Sequence, residues 1–104
     1  MDPATGGAPP PPPEVNIYQV KLDPQFSGKT VIVSGKVLQT FMLQKEMILV
    51  LEGNLRCRLK HHLSPAKQQT ILNTQVKILG VVVPRAEVLA TSSPHMIDCT
   101  LHGS

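Results

Sequence analysis

The chain of 104 residues carries 10 Pro, 2 Cys, 1 Tyr, 2 Phe and no Trp, and its 10 basic against 7 acidic side chains leave a formal charge of +3. A chain of this size buries one thin core, which argues against a deep catalytic cleft between two lobes. No apolar run reaches the roughly 18–20 residues of a membrane-spanning helix, and Asp2 followed by prolines is unlike a secretory leader, so the expectation is a soluble intracellular protein with no membrane contact.

Residues 1–13 (MDPATGGAPPPPP) read as a disordered, Pro-rich tail. Its run of prolines favours polyproline II and reads better as a stiff spacer than as a ligand for an aromatic groove. Residues 14–104 read as a single domain. Residues 14–28 form a lead-in with Val15, Ile17, Val20, Leu22 and Phe26 as apolar positions, and Asp23-Pro24 marks a turn or a short helical turn. Residues 29–42 (KTVIVSGKVLQTFM) alternate as a long first strand, with Val31, Val33 and Val37 on one face and Ser34, Lys36 and Thr40 on the other. Gly35 within it is expected to mark a bulge or a bend.

Residues 46–52 (EMILVLE) form a second strand, apolar on both faces and therefore covered on both. Gly53-Asn54 suits a tight hairpin. Residues 54–60 (NLRCRLK) form the clearest amphipathic strand, Leu55, Cys57 and Leu59 inward and Arg56, Arg58 and Lys60 outward. Ser64-Pro65 reads as the cap and first position of a helix to about Leu72, with Ile71 and Leu72 packing inward and Asn73 as the stop. Residues 75–83 give a fourth strand interrupted by Gly80, residues 84–86 a tight connection, and residues 87–91 with 95–101 a broken fifth strand. Small all-β chains suppress exposed edges by closing the sheet. The expected fold is therefore all-β, a five-stranded OB-fold barrel with a short helix between strands three and four.

The charge is unevenly spread. Residues 53–86 hold no acid but contain Arg56, Arg58, Lys60, Lys67, Lys77 and Arg85, a pattern that suits an anionic partner. Cys57 and Cys99 read as small buried side chains rather than a disulfide framework. No catalytic constellation, metal-ligand spacing or phosphate-cradling glycine loop is present; His61 and His62, adjacent on an extended segment, point to opposite faces. A protein with no enzymatic activity, cofactor or metal is expected. The sharper candidate is a nucleic-acid interface of Arg56, Arg58 and Lys60, spaced about 6.6 Å apart along one strand face. Lys36 and Lys45 extend that track, Phe41 supplies an aromatic, and Arg85 lies in the loop joining strands four and five. Affinity in such barrels comes largely from aromatic platforms, and Tyr18, Phe26 and Phe41 are too few for strong autonomous binding.

LDPQFSGKTVIVSGKV (residues 22–37) is similar to the lead-in and first strand of the small subunit of replication protein A, the eukaryotic single-stranded-DNA-binding heterotrimer. VKILGVVVPRAEVLATS (residues 76–92) resembles that family's fourth and fifth strands. The resemblance implies a nuclear, non-enzymatic subunit that supports assembly with larger OB-fold subunits in DNA replication or repair and binds single-stranded DNA only weakly alone. That family assembles through a helix after its last strand; with Leu101 so near the end of this sequence, partner contact is expected on a barrel face or edge. Alternatives are the small OB subunit of a telomere-capping or telomerase-associated complex, an RNA-associated OB protein, and a pure protein-interaction module.

Overall fold

A 14-residue strand, β2 (Thr30–Leu43), organises the domain by serving two neighbours in turn. Its first half pairs antiparallel with β5 (Gln75–Val82), from Thr30↔Val81 to Lys36↔Gln75, and its second half pairs antiparallel with β3 (Glu46–Leu51). β3 continues antiparallel into β4 (Leu55–Leu59), β4 runs parallel to β6 (Met96–Leu101), and β6 returns antiparallel to β5. The circuit β2–β3–β4–β6–β5–β2 therefore closes into a five-stranded barrel, with the helix α2 (Pro65–Ile71) between the third and fourth of its strands. The computed structural model describes residues 10–88 and 93–102; most of the Pro-rich tail and residues 89–91 of the expected fifth strand lie outside the described residues.

The lead-in carries more structure than a turn. Asn16 caps the helix α1 (Ile17–Leu22) through a reciprocal pair: Gln19 N–H donates to Asn16 Oδ1 at 2.9 Å, and Asn16 N–H donates to Gln19 Oε1 at 2.8 Å. Just before it, the two-residue strand β1 (Glu14–Val15) lies parallel to β2, and Ile32 N–H donates to Pro13 O at 2.9 Å, so pairing reaches into the proline run. Pro24–Phe26 form the short helical turn that Asp23-Pro24 announces, with Asp23 as its cap.

The bulge in β2 falls between Val37 and Gln39, at Leu38, and not at Gly35. Gly35 stays in register with Val76; a Cβ there would stand 3.1 Å from Ile17 Cδ1 and 3.2 Å from Leu51, so its bareness admits close packing by the lead-in. The extra residue at Leu38 inverts the phase of everything after it. Thr40 moves to the face of Leu49 and Leu51, correcting its expected place beside Ser34 and Lys36, and Phe41 moves to the outer face opposite Ile48.

Val31, Val33, Val37, Leu49, Leu51, Leu55, Cys57, Ile78, Met96 and Cys99 fill the barrel, each large aliphatic contributing about 1.5–3 kcal/mol by leaving water. Ser64 caps α2 and Ile71 packs inward, as read. Leu72 does not: it is 39% exposed, because the chain leaves the helix at Leu72 and reverses at Asn73, whose φ is 63°. The link from β5 to β6 is also not tight. It spans residues 83–95 and contains a 3₁₀ turn at Arg85–Glu87, since Pro84 has no N–H to continue a ladder.

The β2–β3 hairpin turns through Gln44 (φ 50°) and Lys45 (φ 72°), two side-chain-bearing residues in the left-handed region. Asn-Gly suits that geometry far better. The double substitution Gln44→Asn, Lys45→Gly should raise the urea midpoint, corresponding to about 0.5–1 kcal/mol; an unchanged midpoint would mean the turn is unstrained.

Candidate nucleic-acid interface

Register places three side chains in a row across the outer face of β2, β3 and β4: Phe41 beside Ile48 beside Arg58. Neighbouring strands stand about 4.8 Å apart, so the row sets an aromatic ring and a guanidinium about 10 Å apart across a covered aliphatic residue, within the reach of one or two bases. Ile48 is 1% exposed, whereas Phe41 and Arg58 are half-buried. Arg58 Nη1 lies 3.5 Å from Glu46 Oε1, a partly exposed pair that a phosphate can displace at little cost.

Lys45 sits at the exposed tip of the β2–β3 turn, and His62 Nε2 donates to its carbonyl at 2.8 Å, tying the turn to the segment after β4. On that segment, Lys60 is exposed and its N–H donates to Cys99 O at 2.8 Å. Phe41, Lys45, Arg58 and Lys60 thus share one end of the outer face.

The other sequence-derived candidates lie elsewhere. Lys36 pairs with Gln75 on the β5 side of β2, and its N–H donates to Glu52 Oε1 at 3.2 Å. Arg85 is exposed on the 3₁₀ turn beyond β5. Arg56 departs most from the reading: it alternates outward with Arg58, but is only 6% exposed. Its Nε donates to Ser93 O at 2.6 Å, and its main chain exchanges hydrogen bonds with His95, His95 N–H to Arg56 O at 2.8 Å and Arg56 N–H to His95 Nδ1 at 3.1 Å. The segment preceding β6 folds over the Arg56 end of β4 and takes it out of the exposed cationic stripe.

His95 was missed at the sequence level. As an acceptor its Nδ1 must be unprotonated, leaving the proton on Nε2. Burial, then the charges of Arg56 and Lys21, lower its pKa from 6.5 to about 4. From about pH 6.5 downward the unfolded chain takes up a proton that the folded chain refuses, so stability falls with acidification until about pH 4. With allowance for partial exposure, the loss is about 1–2 kcal/mol. His95→Asn keeps an acceptor that does not titrate, and should flatten the slope of urea midpoint against pH between 6.5 and 4; an unaltered slope would assign it to other groups.

Among solved structures, the chain superposes on asparaginyl-tRNA synthetase from Pyrococcus horikoshii with a TM-score of 0.56 at 19% identity, over 85% of this chain and 22% of that one. It also superposes on a putative aspartyl-tRNA synthetase from Leishmania major Friedlin with a TM-score of 0.50 at 14% identity, over 85% of this chain and 19% of that one. The fold is an OB barrel. The chain corresponds to about a fifth of the length of each synthetase, and at these identities the likeness is one of fold. No protein-family model matches the sequence, and no curated protein does. An OB barrel presents the outer face of its second and third strands, here β3 and β4, to single-stranded nucleic acids, which is the face that carries Ile48 and Arg58 next to Phe41.

Proposed function

We propose that this protein is a non-enzymatic OB-fold subunit that makes weak contact with single-stranded nucleic acid and works inside a larger assembly. The row Phe41–Ile48–Arg58, flanked by Lys45 and Lys60, carries the proposal. One ring and three cations give a salt-sensitive contact without the stacked platforms of an autonomous binder. The assembly role is supported by Leu38 and Leu72, exposed side chains beside the junction where Val37 exchanges backbone hydrogen bonds with Asn73 and Thr74, and by Met42, exposed near the far end of β2. Together with the sequence resemblance, this favours the small subunit of a replication protein A-like complex: nuclear, paired with larger OB-fold subunits, on single-stranded DNA. The fold likeness to two tRNA synthetases favours RNA as the second reading.

Fluorescence anisotropy with labelled DNA and RNA oligonucleotides tests this. Lys45→Ala, Arg58→Ala and Lys60→Ala should each reduce the slope of log affinity against log salt by about 0.7, the single-strand increment per phosphate contact. Phe41→Ala should cost about 1–3 kcal/mol with the slope unchanged. The preferred oligonucleotide separates the two readings. Absence of binding at about 50 mM salt, where the electrostatic contribution is large, would leave a pure protein-interaction module.

A further inference from the structure

A second cationic site lies on the far side of Arg56, between α1 and the segment after β5. A cavity of about 260 Å³ there is walled by Val20, Leu22, Val83 and Val88 and carries Lys21, Arg85 and His95. Among the described residues no carboxylate lines it. In an adjoining hollow of about 90 Å³ Asp23 is already engaged by the backbone N–H of Gln25 at 3.1 Å and its side-chain amide at 2.8 Å, and Glu87, on the same turn as Arg85, is exposed. The three nitrogen-bearing side chains come from separate elements, and each has a donor to offer. Lys21 Nζ spends one of its three protons on Gly53 O at 2.7 Å. Arg85 is exposed with a planar fork suited to a phosphate, and His95, bonded through Nδ1, carries its proton on Nε2.

One further side chain sets the ligand class. Tyr18 is 71% exposed and stands three and four residues before Lys21 and Leu22, on the same face of α1. The ring lines a separate hollow with Glu52 and Gly53, and Lys21, whose Nζ donates to Gly53 O, stands between that hollow and the cleft. An exposed aromatic ring one side chain away from a cationic, apolar-walled cleft matches a planar base joined to a phosphate better than a bare anion or an acidic peptide.

We propose that this cleft binds a nucleoside monophosphate, with the phosphate among Lys21, Arg85 and His95 and the base against Tyr18. The nucleotide is either free or the phosphorylated end of a strand. The site is independent of the Arg58 face, so the two stand or fall separately.

The test is amide and histidine-ring NMR of the full chain, titrated with each common nucleoside 5′-monophosphate and with inorganic phosphate to about 1 mM. Nucleotides should shift resonances of Tyr18, Lys21, Arg85 and His95, and inorganic phosphate should bind more weakly. Lys21→Met and Arg85→Ala should each weaken nucleotide binding about tenfold, as should Tyr18→Ala, while Tyr18→Ala leaves binding of inorganic phosphate unchanged. Thermal melts of these surface variants verify folding. Tighter binding of 5′-phosphorylated than of 5′-hydroxyl oligonucleotide, lost in Arg85→Ala but retained in Arg58→Ala, assigns the site to a strand end; equal affinity of the two assigns it to free nucleotide. Shifts confined to the Arg58 face, nucleotide affinity indifferent to Lys21→Met and Arg85→Ala, or perturbation of the cleft by a Glu- and Leu-rich peptide but by no nucleotide would overturn the proposal.

Discussion

Alanine at Gly80 will destabilise the domain by about 2–4 kcal/mol and lower its melting temperature by about 10 °C or more. Gly80 faces the strand β6 where the β5–β6 register slips, and an added Cβ would meet Cys99 Sγ at 2.5 Å, Ile97 O at 3.1 Å and Met96 Cε at 3.2 Å. None of these neighbours yields cheaply. The carbonyl belongs to the backbone, Met96 is fully buried, and Cys99 is held between its contact to Ile97 O at 3.5 Å and the Cys57 thiol. The Cys99 thiol and burial push the Cys57 pKa well up, so Cys57 remains a neutral, space-filling group. Because the severest overlap is with one sulfur, Cys99→Ala should recover about half of the loss in the Gly80→Ala background, though it costs about 1 kcal/mol alone. Urea denaturation of the four proteins measures this coupling; additive effects would place the damage elsewhere.

Arg56→Ala is expected to cost about 2–3 kcal/mol, with less effect on oligonucleotide affinity than Arg58→Ala. The side chain is buried and its Nε donates to the carbonyl of Ser93, so truncation removes that hydrogen bond and empties space beneath the segment that precedes β6. Arg56→Lys should not restore stability: an ammonium at the end of a longer stem cannot reproduce a donor at the Nε position. Equilibrium unfolding and anisotropy on the same samples distinguish the roles of these alternate residues. Full stability combined with abolished binding would return Arg56 to the exposed stripe.

The contrast between Arg56 and Arg58 shows where sequence reading stops. Alternation along β4 correctly separates Leu55, Cys57 and Leu59 from the cations, since side-chain direction on a strand is a local property. Whether an outward side chain meets water depends on what else folds over it, and the cover here comes from Ser93 and His95, nearly forty residues downstream. The Ser64-Pro65 start of α2 and its reversal at Asn73 were legible for the same reason that β4 was: caps and turns act within a few residues. Asn16 and Gln19 carried an equally local signal for α1 that the reading did not use. The bulge is a subtler case. Gly35 is the residue type that draws attention, yet the extra residue sits at Leu38, where β2 changes partner from β5 to β3. That position is fixed by cross-strand register, and with it the outward turn of Phe41. Register between distant strands leaves no mark within a short window of residues.

The order of the strands around the barrel bears on how the protein is made. β6, the last of the barrel's strands in chain order, fills the slot between β4 and β5. Until it emerges, the nascent chain holds a gapped sheet with two unpaired borders, both rich in aliphatic side chains. That interval invites mispairing between neighbouring copies on a polysome. A chain released after residue 95 should therefore be insoluble or chaperone-bound, whereas one released after residue 104 should shut the barrel.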